Sequence, residues 1–556
     1  MMKDVSGWAT RLEAETTTQY VKGGQWTNVT LLHCAHRCVR EFPDRIAVID
    51  NGVESSFAQL LDRGYRLANA MFDSGLKAGD VISFQLPNWH EALVINLAAA
   101  IGGFVCNPIV PIYRDAEVKF ILRNSRTRIL FIPQRFRSID YAAMIGRIKA
   151  DLPDLTNVIL LRSEGAGNDS FSSWLERADT SARKFPPADP NAVKLLLYTS
   201  GTTGEPKGVL HSHNTLRSDI DASIAFWSLT AEDTVLMPSP VTHITGYLYG
   251  LEMPFALGAT AVLMERWDVA EAVNLIDRHG VTYSVGATPF LVELVSEVER
   301  RGTSSPSLRL YVSGGAPVPP EVVHRARTFL PNCSTVRAYG CSEGPTISLG
   351  VRKGDPLELG AFTDGCVYNH EVRIVHETTG AILREPGMVG EILIRGPEVM
   401  LGYTNPEHDA NAFDEEGFFR TGDLGSLTQD GYITISGRKK DLIIRGGENI
   451  SAKEVEDALH VHPAVLEASV VAMPHARLGE TPCAFVVLRV GGQLSFDEMK
   501  AFLEKSMLAR QKIPERLLIV DDMPRTSSGK VLKHVLRAQV ALDFAGTPPK
   551  QTPVAT

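Results

Sequence analysis

A loop rich in glycine and hydroxyl residues is the strongest chemical signal in the chain. It reads Tyr198-Thr-Ser-Gly-Thr-Thr-Gly-Glu-Pro-Lys-Gly208 and directly follows the apolar stretch Val193-Lys-Leu-Leu-Leu197. Glycines let backbone N–H groups turn toward a ligand, hydroxyl groups donate further hydrogen bonds, and Lys207 adds a positive charge. Together these features suit a polyphosphate. The loop is not of the GxxxxGK[ST] type, because Lys207 follows a proline and precedes a glycine. The alternative is a flexible surface linker.

This loop resembles the phosphate loop of the adenylate-forming superfamily, which includes acyl-CoA synthetases, peptide-synthetase adenylation domains and beetle luciferases. Further motifs resemble those of the family and follow in the same order over nearly the whole chain. They are Ser313-Gly-Gly-Ala-Pro317, Tyr339-Gly-Cys-Ser-Glu343, Arg420-Thr-Gly-Asp-Leu424, Gly437-Arg-Lys-Lys-Asp-Leu-Ile-Ile-Arg-Gly-Gly-Glu-Asn449 and Pro524-Arg-Thr-Ser-Ser-Gly-Lys530. The chain is therefore identified as a member of this superfamily. Ser342 replaces the family's threonine and keeps the hydroxyl group.

The resemblance implies a site for ATP and Mg²⁺. Tyr339 offers an aromatic face to adenine, Asp423 offers two oxygens to the ribose hydroxyls, and Glu343 is a hard oxygen ligand suited to Mg²⁺. Taken singly, these residues also fit a core tyrosine, a tight turn and a solvated glutamate. The nucleotide-binding residues implied by the motifs are Thr199, Ser200, Gly201, Thr202, Thr203, Gly204, Lys207, Gly315, Ala316, Pro317, Tyr339, Gly340, Ser342, Asp423 and Arg438.

Lys530 is implied to be the catalytic lysine of a second, smaller domain. A cation between the acyl carboxylate and the α-phosphate offsets the repulsion between two anions during in-line displacement. By resemblance, Lys440 is the hinge about which this domain turns after adenylation. The turn would bring Gly446 and Gly447 to line a channel for the CoA thiol. On composition alone, the lysine loop is a surface turn and the glycine pair is a tight turn.

The sequence says least about which carboxylic acid is the substrate. By resemblance, His243 lies at the mouth of the acid pocket, where a lone histidine is otherwise more often structural. The other candidate wall residues are small or apolar, which suits an uncharged acyl chain or ring. They are Val241, Thr242, Ile244, Thr245, Gly246, Tyr247, Gly286, Ala287, Thr288, Ser313, Gly314, Gly340 and Cys341. The sequence, including the segments 286–290 and 445–451, is similar to those of bacterial short- and medium-chain fatty acyl-CoA ligases and cyclohexanecarboxylate-type CoA ligases.

The predicted function is therefore that of an ATP-dependent carboxylic acid–CoA ligase, which forms acyl-AMP and then acyl-CoA. One alternative is a stand-alone aryl- or acyl-adenylating enzyme that loads a carrier protein. Another is a non-catalytic nucleotide sensor, against which the retained Glu343, Asp423, Arg438 and Lys530 argue. Lys530 also resembles a site of acetylation in bacterial acyl-CoA synthetases, so a lysine acetyltransferase is a predicted partner, and acetylation would remove the cation.

Strand and helix patterns alternate through most of the chain and predict an α/β fold. Val269–His279 and Ala452–His460 carry helical patterns, and the apolar run 92–106 predicts a buried helix leading into a strand. The expected architecture is a large N-terminal body of two α/β subdomains plus a small β-rich module, followed by a smaller, mobile α+β domain. The predicted limits are 1–436 for the body, 437–545 for the mobile domain and 546–556 for a disordered tail.

Charge and composition exclude several other classes. The 556 residues include 56 Lys and Arg against 65 Asp and Glu, a formal net charge of −9 that disfavours nucleic acid and anionic lipid as partners. The seven cysteines form no CxxC pair, which is unlike a zinc ribbon. The first fifteen residues lack the apolar core of a signal peptide, and no apolar run is long enough to span a bilayer. We therefore expect a cytoplasmic protein.

Overall fold

The computed structural model describes residues 2–163, 169–177, 185–199, 206–316, 318–446, 448–506, 508–526 and 530–545. Within these ranges, two sheets of seven strands each form the centre of the molecule. In spatial order, the first sheet contains Asn157–Leu161, Thr127–Pro133, Val81–Phe84, Val105–Pro108, Val193–Thr199, Lys207–Ser212 and Gly402–Tyr403. The second contains Ser334–Arg337, Leu310–Gly314, Tyr283–Ala287, Thr234–Met237, Thr260–Leu263, Ile46–Asp50 and Val53–Ser56.

Both sheets are parallel except at one side. In the first sheet, Lys207–Ser212 runs antiparallel to its neighbours on both sides, and in the second Val53–Ser56 runs antiparallel to Ile46–Asp50. The inner strands are apolar on both faces because helices cover both faces of each sheet. The core strand Val81–Phe84, for example, is buried at every position.

Helices fill the connections between strands. Several begin and end at residues that the local sequence favours. Val269–His279, for example, starts after Asp268, whose side chain accepts a hydrogen bond from Glu271 N–H, and stops at Gly280 with φ of +57°. The helices of this body are Ala14–Lys22, Leu31–Glu41, Phe57–Asp73, Glu91–Gly102, Asp115–Asn124, Tyr141–Ile148, Phe171–Arg177, His213–Trp227, Val269–His279, Thr288–Arg301 and Pro320–Phe329.

The apolar run 92–106 forms helix Glu91–Gly102, which is buried along its whole length, and strand Val105–Pro108, as predicted. The segment from Ile244 to Leu257 is less regular. It consists of a short α-turn, a π-helix over Tyr247–Glu252 and a second short α-helix over Met253–Leu257. A π-helix is uncommon, and such segments occur frequently at functional sites. Among the described residues, no helix combines the length and the apolar character needed to cross a bilayer.

A small antiparallel module follows the second large sheet. Its strands, in order, are Glu371–Val375, Gly390–Arg395, Phe419–Leu427 and Ile433–Arg438. The short helix Glu407–Ala412 packs against Phe419–Leu427, whereas Leu359–Phe362 packs against helix Pro320–Phe329 and strand Ser334–Arg337 of the second large sheet. The last part of the chain forms a separate mixed sheet from Ile443–Arg445, Glu448–Ile450, Val465–His475, Gly479–Leu488 and Arg516–Ile519. The helices of this part are Ala452–His460, Phe496–Lys505 and Lys533–Ala545. The α/β class and the division into a large body and a smaller C-terminal domain are thus confirmed.

The N-terminal segment attaches to a distant part of the body. Arg11 N–H donates to Leu401 O at 2.8 Å, and Trp26 Nε1 donates to Pro397 O at 2.9 Å. Both bonds hold the segment that delivers the edge strand Gly402–Tyr403 to the first sheet. The predicted domain limit at 436 lies within strand Ile433–Arg438, and the predicted tail 546–556 lies outside the described residues.

Candidate active site

The phosphate loop lies between two paired strands. Thr199, the last residue of one strand, is paired with Lys207, the first residue of the next, in an antiparallel ladder. The two ends of the loop are therefore fixed side by side. The Lys207 ammonium lies 5.1 Å from the centre of the Tyr403 ring. Of the predicted loop residues, Ser200, Gly201, Thr202, Thr203 and Gly204 lie outside the described residues.

The predicted adenine-side loop follows strand Leu310–Gly314. Gly315 has φ of +79°, a conformation that favours glycine, and Ala316 O accepts a hydrogen bond from Thr288 Oγ1 at 3.2 Å. A methyl group on Gly314 would stand 2.7 Å from Ala338 O, so the backbone segments of neighbouring strands approach closely here. Pro317 lies outside the described residues.

Tyr339, Asp423 and Arg438 form a connected group. The Tyr339 hydroxyl donates to Asp423 Oδ2 at 2.8 Å, and Arg438 Nε lies 3.0 Å from Asp423 Oδ1. Asp423 and Arg438 are directly opposed on adjacent strands of the small module, which fixes their register. Each carboxylate oxygen keeps a further lone pair, so Asp423 can still accept hydrogen bonds from two ribose hydroxyls.

Glu343 belongs to a tightly folded loop. Gly340 leaves no room for a side chain, because a methyl group there would stand 1.8 Å from Pro345 O. The Ser342 carbonyl oxygen lies 2.7 Å from Nε2 of the buried His211, and burial lowers the pKa of His211 to about 4. The imidazole is therefore neutral at pH 7 and can donate Nε2–H to this carbonyl.

The Glu343 carboxylate is arranged as a metal ligand would be. Tyr403 Oη donates to its Oε1 at 2.9 Å, the side chain is only partly buried, and none of the described cations forms an ion pair with it. A hard carboxylate oxygen that pairs with no cation of the described residues, and that Tyr403 links to Lys207 at the end of the predicted phosphate loop, fits a Mg²⁺ ion that retains several of its waters.

Lys530 faces the nucleotide residues from the C-terminal domain. Its backbone N–H donates to Thr526 Oγ1 at 3.0 Å, and Thr526 N–H donates to the Lys530 carbonyl oxygen at 2.8 Å. Burial, together with the nearby Arg438, lowers the pKa of Lys530 to about 7, and Asp423 opposes this shift. The structure thus brings the sequence-predicted lysine, arginine and aspartate together, although they come from two domains.

His243 lies close enough to Lys530 for the charge of the lysine to act on its pKa. Its side chain caps the short turn Ile244–Gly246, with Thr245 N–H at 3.5 Å from Nδ1. Burial lowers the pKa of His243 to about 4, and the charge of Lys530 adds to the shift. The imidazole is neutral at pH 7, so His243 contributes a hydrogen-bonding group rather than a charge.

The residues predicted to form the hinge and the thiol channel follow the small module in the chain. Lys440 is part of the single turn Lys439–Asp441 that follows strand Ile433–Arg438. Gly446 has φ of +60° and its N–H donates to Leu478 O at 2.8 Å. Gly447 lies outside the described residues. Gly446 directly follows strand Ile443–Arg445 of the C-terminal domain and lies 84 positions before Lys530 in the chain.

Comparison with known proteins decides the family. Residues 35–404 match the family described as AMP-binding enzyme, and residues 454–530 match the AMP-binding enzyme C-terminal domain. The chain belongs to the AMP-binding enzyme family. The prediction of an adenylate-forming enzyme is therefore confirmed.

Relatives of the family support this assignment over almost the full chain. A medium-chain fatty-acid–CoA ligase of Escherichia coli is 36% identical over 526 residues, covering 94% of this chain and 92% of that protein. A salicyl-AMP ligase/salicyl-S-ArCP synthetase of Mycobacterium tuberculosis is 33% identical, covering 95% and 94%. The crystal structure of ATP-bound MatB from Rhodopseudomonas palustris superposes with a TM-score of 0.83 at 28% identity, covering 92% and 99%.

The family match also confirms the predicted type of enzyme, an AMP-forming acid–thiol ligase. Two residues that contact the predicted site residues were not predicted from the sequence. Tyr403 donates a hydrogen bond to the Glu343 side chain, and His211 lies within hydrogen-bonding distance of the Ser342 carbonyl oxygen. Tyr403 stands in Leu401-Gly-Tyr-Thr404, a segment without periodicity, and His211 stands in an ordinary strand pattern. The glycine beside Tyr403 is the one local signal that pointed to a close backbone approach.

Proposed function

We propose that this ligase activates a short- or medium-chain fatty acid or an alicyclic carboxylic acid and transfers the acyl group to CoA. The observation that carries the proposal is the position of Lys530. It lies with Asp423 and Arg438 on one side and acts on the pKa of His243 on the other. A cation between a nucleotide site and the mouth of an acid pocket suits the joining of two anions.

In the first half-reaction, a carboxylate oxygen of the acid attacks the α-phosphorus of ATP. The bond from that phosphorus to the bridging oxygen breaks, and pyrophosphate leaves with the electron pair. Lys207 and the phosphate loop would hold the departing pyrophosphate, Asp423 the ribose and Tyr339 the adenine. Mg²⁺ held by Glu343 would neutralise phosphate charge. Lys530 lowers the repulsion between attacking and attacked groups.

In the second half-reaction, the CoA thiolate attacks the acyl carbon, and AMP leaves with the oxygen of the mixed anhydride. No protein nucleophile is needed, because the anhydride already carries a good leaving group. The domain that carries Lys530 would turn at Lys440, and Gly446 and Gly447 would then line the thiol path. The absence of a side chain at Gly446 suits a narrow pantetheine channel.

The acid class follows from the walls of the proposed pocket. The wall residues that the sequence predicts are uncharged, and the His243 imidazole is neutral at pH 7. Gly286 and Ser313 are paired on adjacent strands, and a methyl group on Gly286 would stand 3.1 Å from Tyr311 Oη and from the Phe290 ring. A small-residue lining backed by aromatic side chains suits an apolar chain or ring better than a second carboxylate.

A second candidate function is transfer to a carrier protein. It is favoured by the similarity to the salicyl-AMP ligase/salicyl-S-ArCP synthetase at 33% identity. Against a dihydroxybenzoate-type ligase stands the sequence Thr242-His-Ile244, which lacks the asparagine that the resemblance leads us to expect after the histidine in that type. AMP release with free CoA, or only with a phosphopantetheinylated carrier protein, separates the two functions.

The deciding experiment is a pyrophosphate-release screen over straight-chain, alicyclic and aromatic acids, with and without CoA. We expect the highest kcat/KM with a medium-length or alicyclic acid and AMP release that depends on CoA. A preference for hydroxybenzoates, or AMP release that does not depend on free CoA, would overturn the proposal.

Acetylation of Lys530 by a lysine acetyltransferase is also part of the proposal. It predicts that the acetylated enzyme loses adenylation activity and that a deacylase restores it.

A further inference from the structure

The segment 400–404 joins two parts of the site that are far apart in sequence. Gly402 and Tyr403 form the edge strand beside Lys207–Ser212, with Tyr403 opposite Val209. Thr404 N–H donates to Gly208 O at 2.8 Å, one residue after Lys207. In the other direction, Met400 N–H donates to the backbone oxygen of Glu343, also at 2.8 Å. The segment therefore ties the end of the phosphate loop to the Glu343 loop.

The Tyr403 side chain makes the same connection a second time. Its hydroxyl donates to Glu343 Oε1, and its ring faces the Lys207 ammonium at 5.1 Å. Tyr403 is 4% exposed. Its backbone N–H donates to Asp409 Oδ1 at 2.9 Å, and the His408 ring packs edge-on against its own ring at a centroid distance of 5.9 Å. Tyr403 is thus held in one orientation from both ends.

We propose that Tyr403 is a positioning residue that sets the Glu343 carboxylate for the metal and the Lys207 ammonium for the phosphates. This rests on the proposed role of Glu343. The hydrogen bond from the Tyr403 hydroxyl to Oε1 restricts rotation of the carboxylate and so orients its remaining lone pairs, above all those of Oε2, for the ion. A partner that orients a ligating carboxylate contributes strongly to metal affinity.

The aromatic ring has a different task. A cation over an aromatic face is attracted by the negative charge of that face, and this attraction does not compete with the hydrogen bonds that the ammonium makes. Tyr403 therefore holds Lys207 at the loop end without consuming its three N–H donors. The hydroxyl and the ring should be separable by substitution.

The test uses the full-length enzyme and three variants. Tyr403→Phe removes the hydroxyl and keeps the ring, and Tyr403→Leu removes both. Tyr432→Phe is the matched control, because Tyr432 is equally buried and its hydroxyl donates to Asp355 Oδ2 at 2.7 Å, away from the nucleotide residues. Binding of α,β-methylene-ATP is measured by calorimetry over a range of Mg²⁺ concentrations and in EDTA, beside both half-reactions.

For Tyr403→Phe we expect the Mg²⁺ concentration needed for half-maximal nucleotide binding to rise about tenfold or more. Its binding in EDTA and its thioester formation from supplied acyl-AMP stay at the wild-type level, as do all values of Tyr432→Phe. Tyr403→Leu should also weaken binding in EDTA. An unchanged Mg²⁺ requirement in Tyr403→Phe, or equal loss of both half-reactions, would overturn the proposal.

Glu343→Gln distinguishes this inference from the proposed function beneath it. If Glu343→Gln raises the Mg²⁺ requirement and Tyr403→Phe does not, the positioning role of Tyr403 is wrong and the metal role of Glu343 stands. If Glu343→Gln leaves the requirement unchanged, the metal role fails and the inference fails with it. If both raise it, the double variant should show no further increase over Glu343→Gln, since the hydroxyl acts through that carboxylate.

Discussion

Arg438 Nε lies 3.0 Å from Asp423 Oδ1, at the end of the last strand before the chain enters the C-terminal domain. This ion pair joins the proposed ribose-binding carboxylate to the residue two positions before the proposed hinge at Lys440. In the proposed reaction, nucleotide binding and domain orientation therefore share a group, because a ribose that donates hydrogen bonds to Asp423 binds the ion-pair partner of Arg438.

The first prediction concerns Asp423 and the ribose. Asp423→Asn should lower kcat/KM for ATP about tenfold to a hundredfold, because a charged acceptor and its pairing with Arg438 are both lost. Wild type should also discriminate against 2′-deoxy-ATP, and Asp423→Asn should lose most of that discrimination. Kinetics with both nucleotides measure this. Full retention of the discrimination in Asp423→Asn would contradict the assigned role.

A second prediction separates the two half-reactions. Lys530→Ala should reduce acyl-AMP formation from acid and ATP by about a hundredfold or more, because it removes the cation that offsets the repulsion of two anions. Thioester formation from supplied acyl-AMP should be spared. ATP–pyrophosphate exchange measures the first step and CoA-dependent AMP release the second. Lys505→Ala, at an exposed lysine of the same domain, is the control. Equal loss of both steps contradicts the assignment.

The pH dependence of adenylation gives a third prediction. Burial and Arg438 lower the pKa of Lys530 to about 7, so the ligand-free enzyme loses this ammonium as the pH rises through that value. The kcat/KM for adenylation should therefore fall above about pH 7. In Lys530→Arg the fall should disappear, because the guanidinium stays charged. A wild-type profile that rises steadily to pH 9 would speak against a neutral lysine in the free enzyme.

The fourth prediction concerns Gly446, where a substitution should affect the half-reaction that Lys530→Ala spares. Gly446→Leu should impair thioester formation more than adenylation, because the side chain would enter the proposed thiol path. The positive φ of +60° adds a strain of about 1 kcal/mol to the variant. Gly491→Leu, at another positive-φ glycine with open space around it, controls for that strain. If the two variants behave alike in both half-reactions, the channel role is wrong.

The last prediction concerns a buried pair of carboxyl groups, Asp219 and Glu398. Burial raises the pKa of both carboxyl groups, and the charge of Asp219 adds to the rise at Glu398, so the folded protein holds a proton that the unfolded chain releases. This pair therefore stabilises the fold most below about pH 4, and that contribution is lost as the pH rises toward neutrality. Calorimetric melting from acid to neutral pH should show a flatter profile for Asp219→Asn than for wild type. The exposed-site variant Asp62→Asn should follow wild type.

Much of the chemistry could be predicted because it rests on local residue types. A few consecutive residues are enough to recognise each of the predicted motifs, namely the glycine-rich loop and the motifs that contain Tyr339, Asp423 and Lys530. Apolar residues at helical spacing predict a helix over Val269–His279, and the structure has it with those bounds, capped by Asp268 and ended at Gly280. Local signals of this kind need no knowledge of the rest of the fold.

The supporting contacts could not be predicted in the same way. Tyr403 belongs to a strand of two residues, too short for any periodic pattern, and its partner Glu343 is 60 positions away. The helix Lys533–Ala545 was not predicted, although Leu536 and Val540 at helical spacing bury one face on the C-terminal sheet. The helix is thus encoded in a local pattern, whereas the position of the tyrosine depends on the fold.

The edge strand Gly402–Tyr403 has a consequence for synthesis on the ribosome. Strand Lys207–Ser212 emerges long before its neighbour, and at 5–20 residues per second its edge stays uncovered for roughly 10 to 40 seconds. An open, apolar strand edge is a template for association with another chain. The nascent polypeptide should therefore depend on chaperone capture during that interval, and slow codons between the two strands should lower the soluble yield.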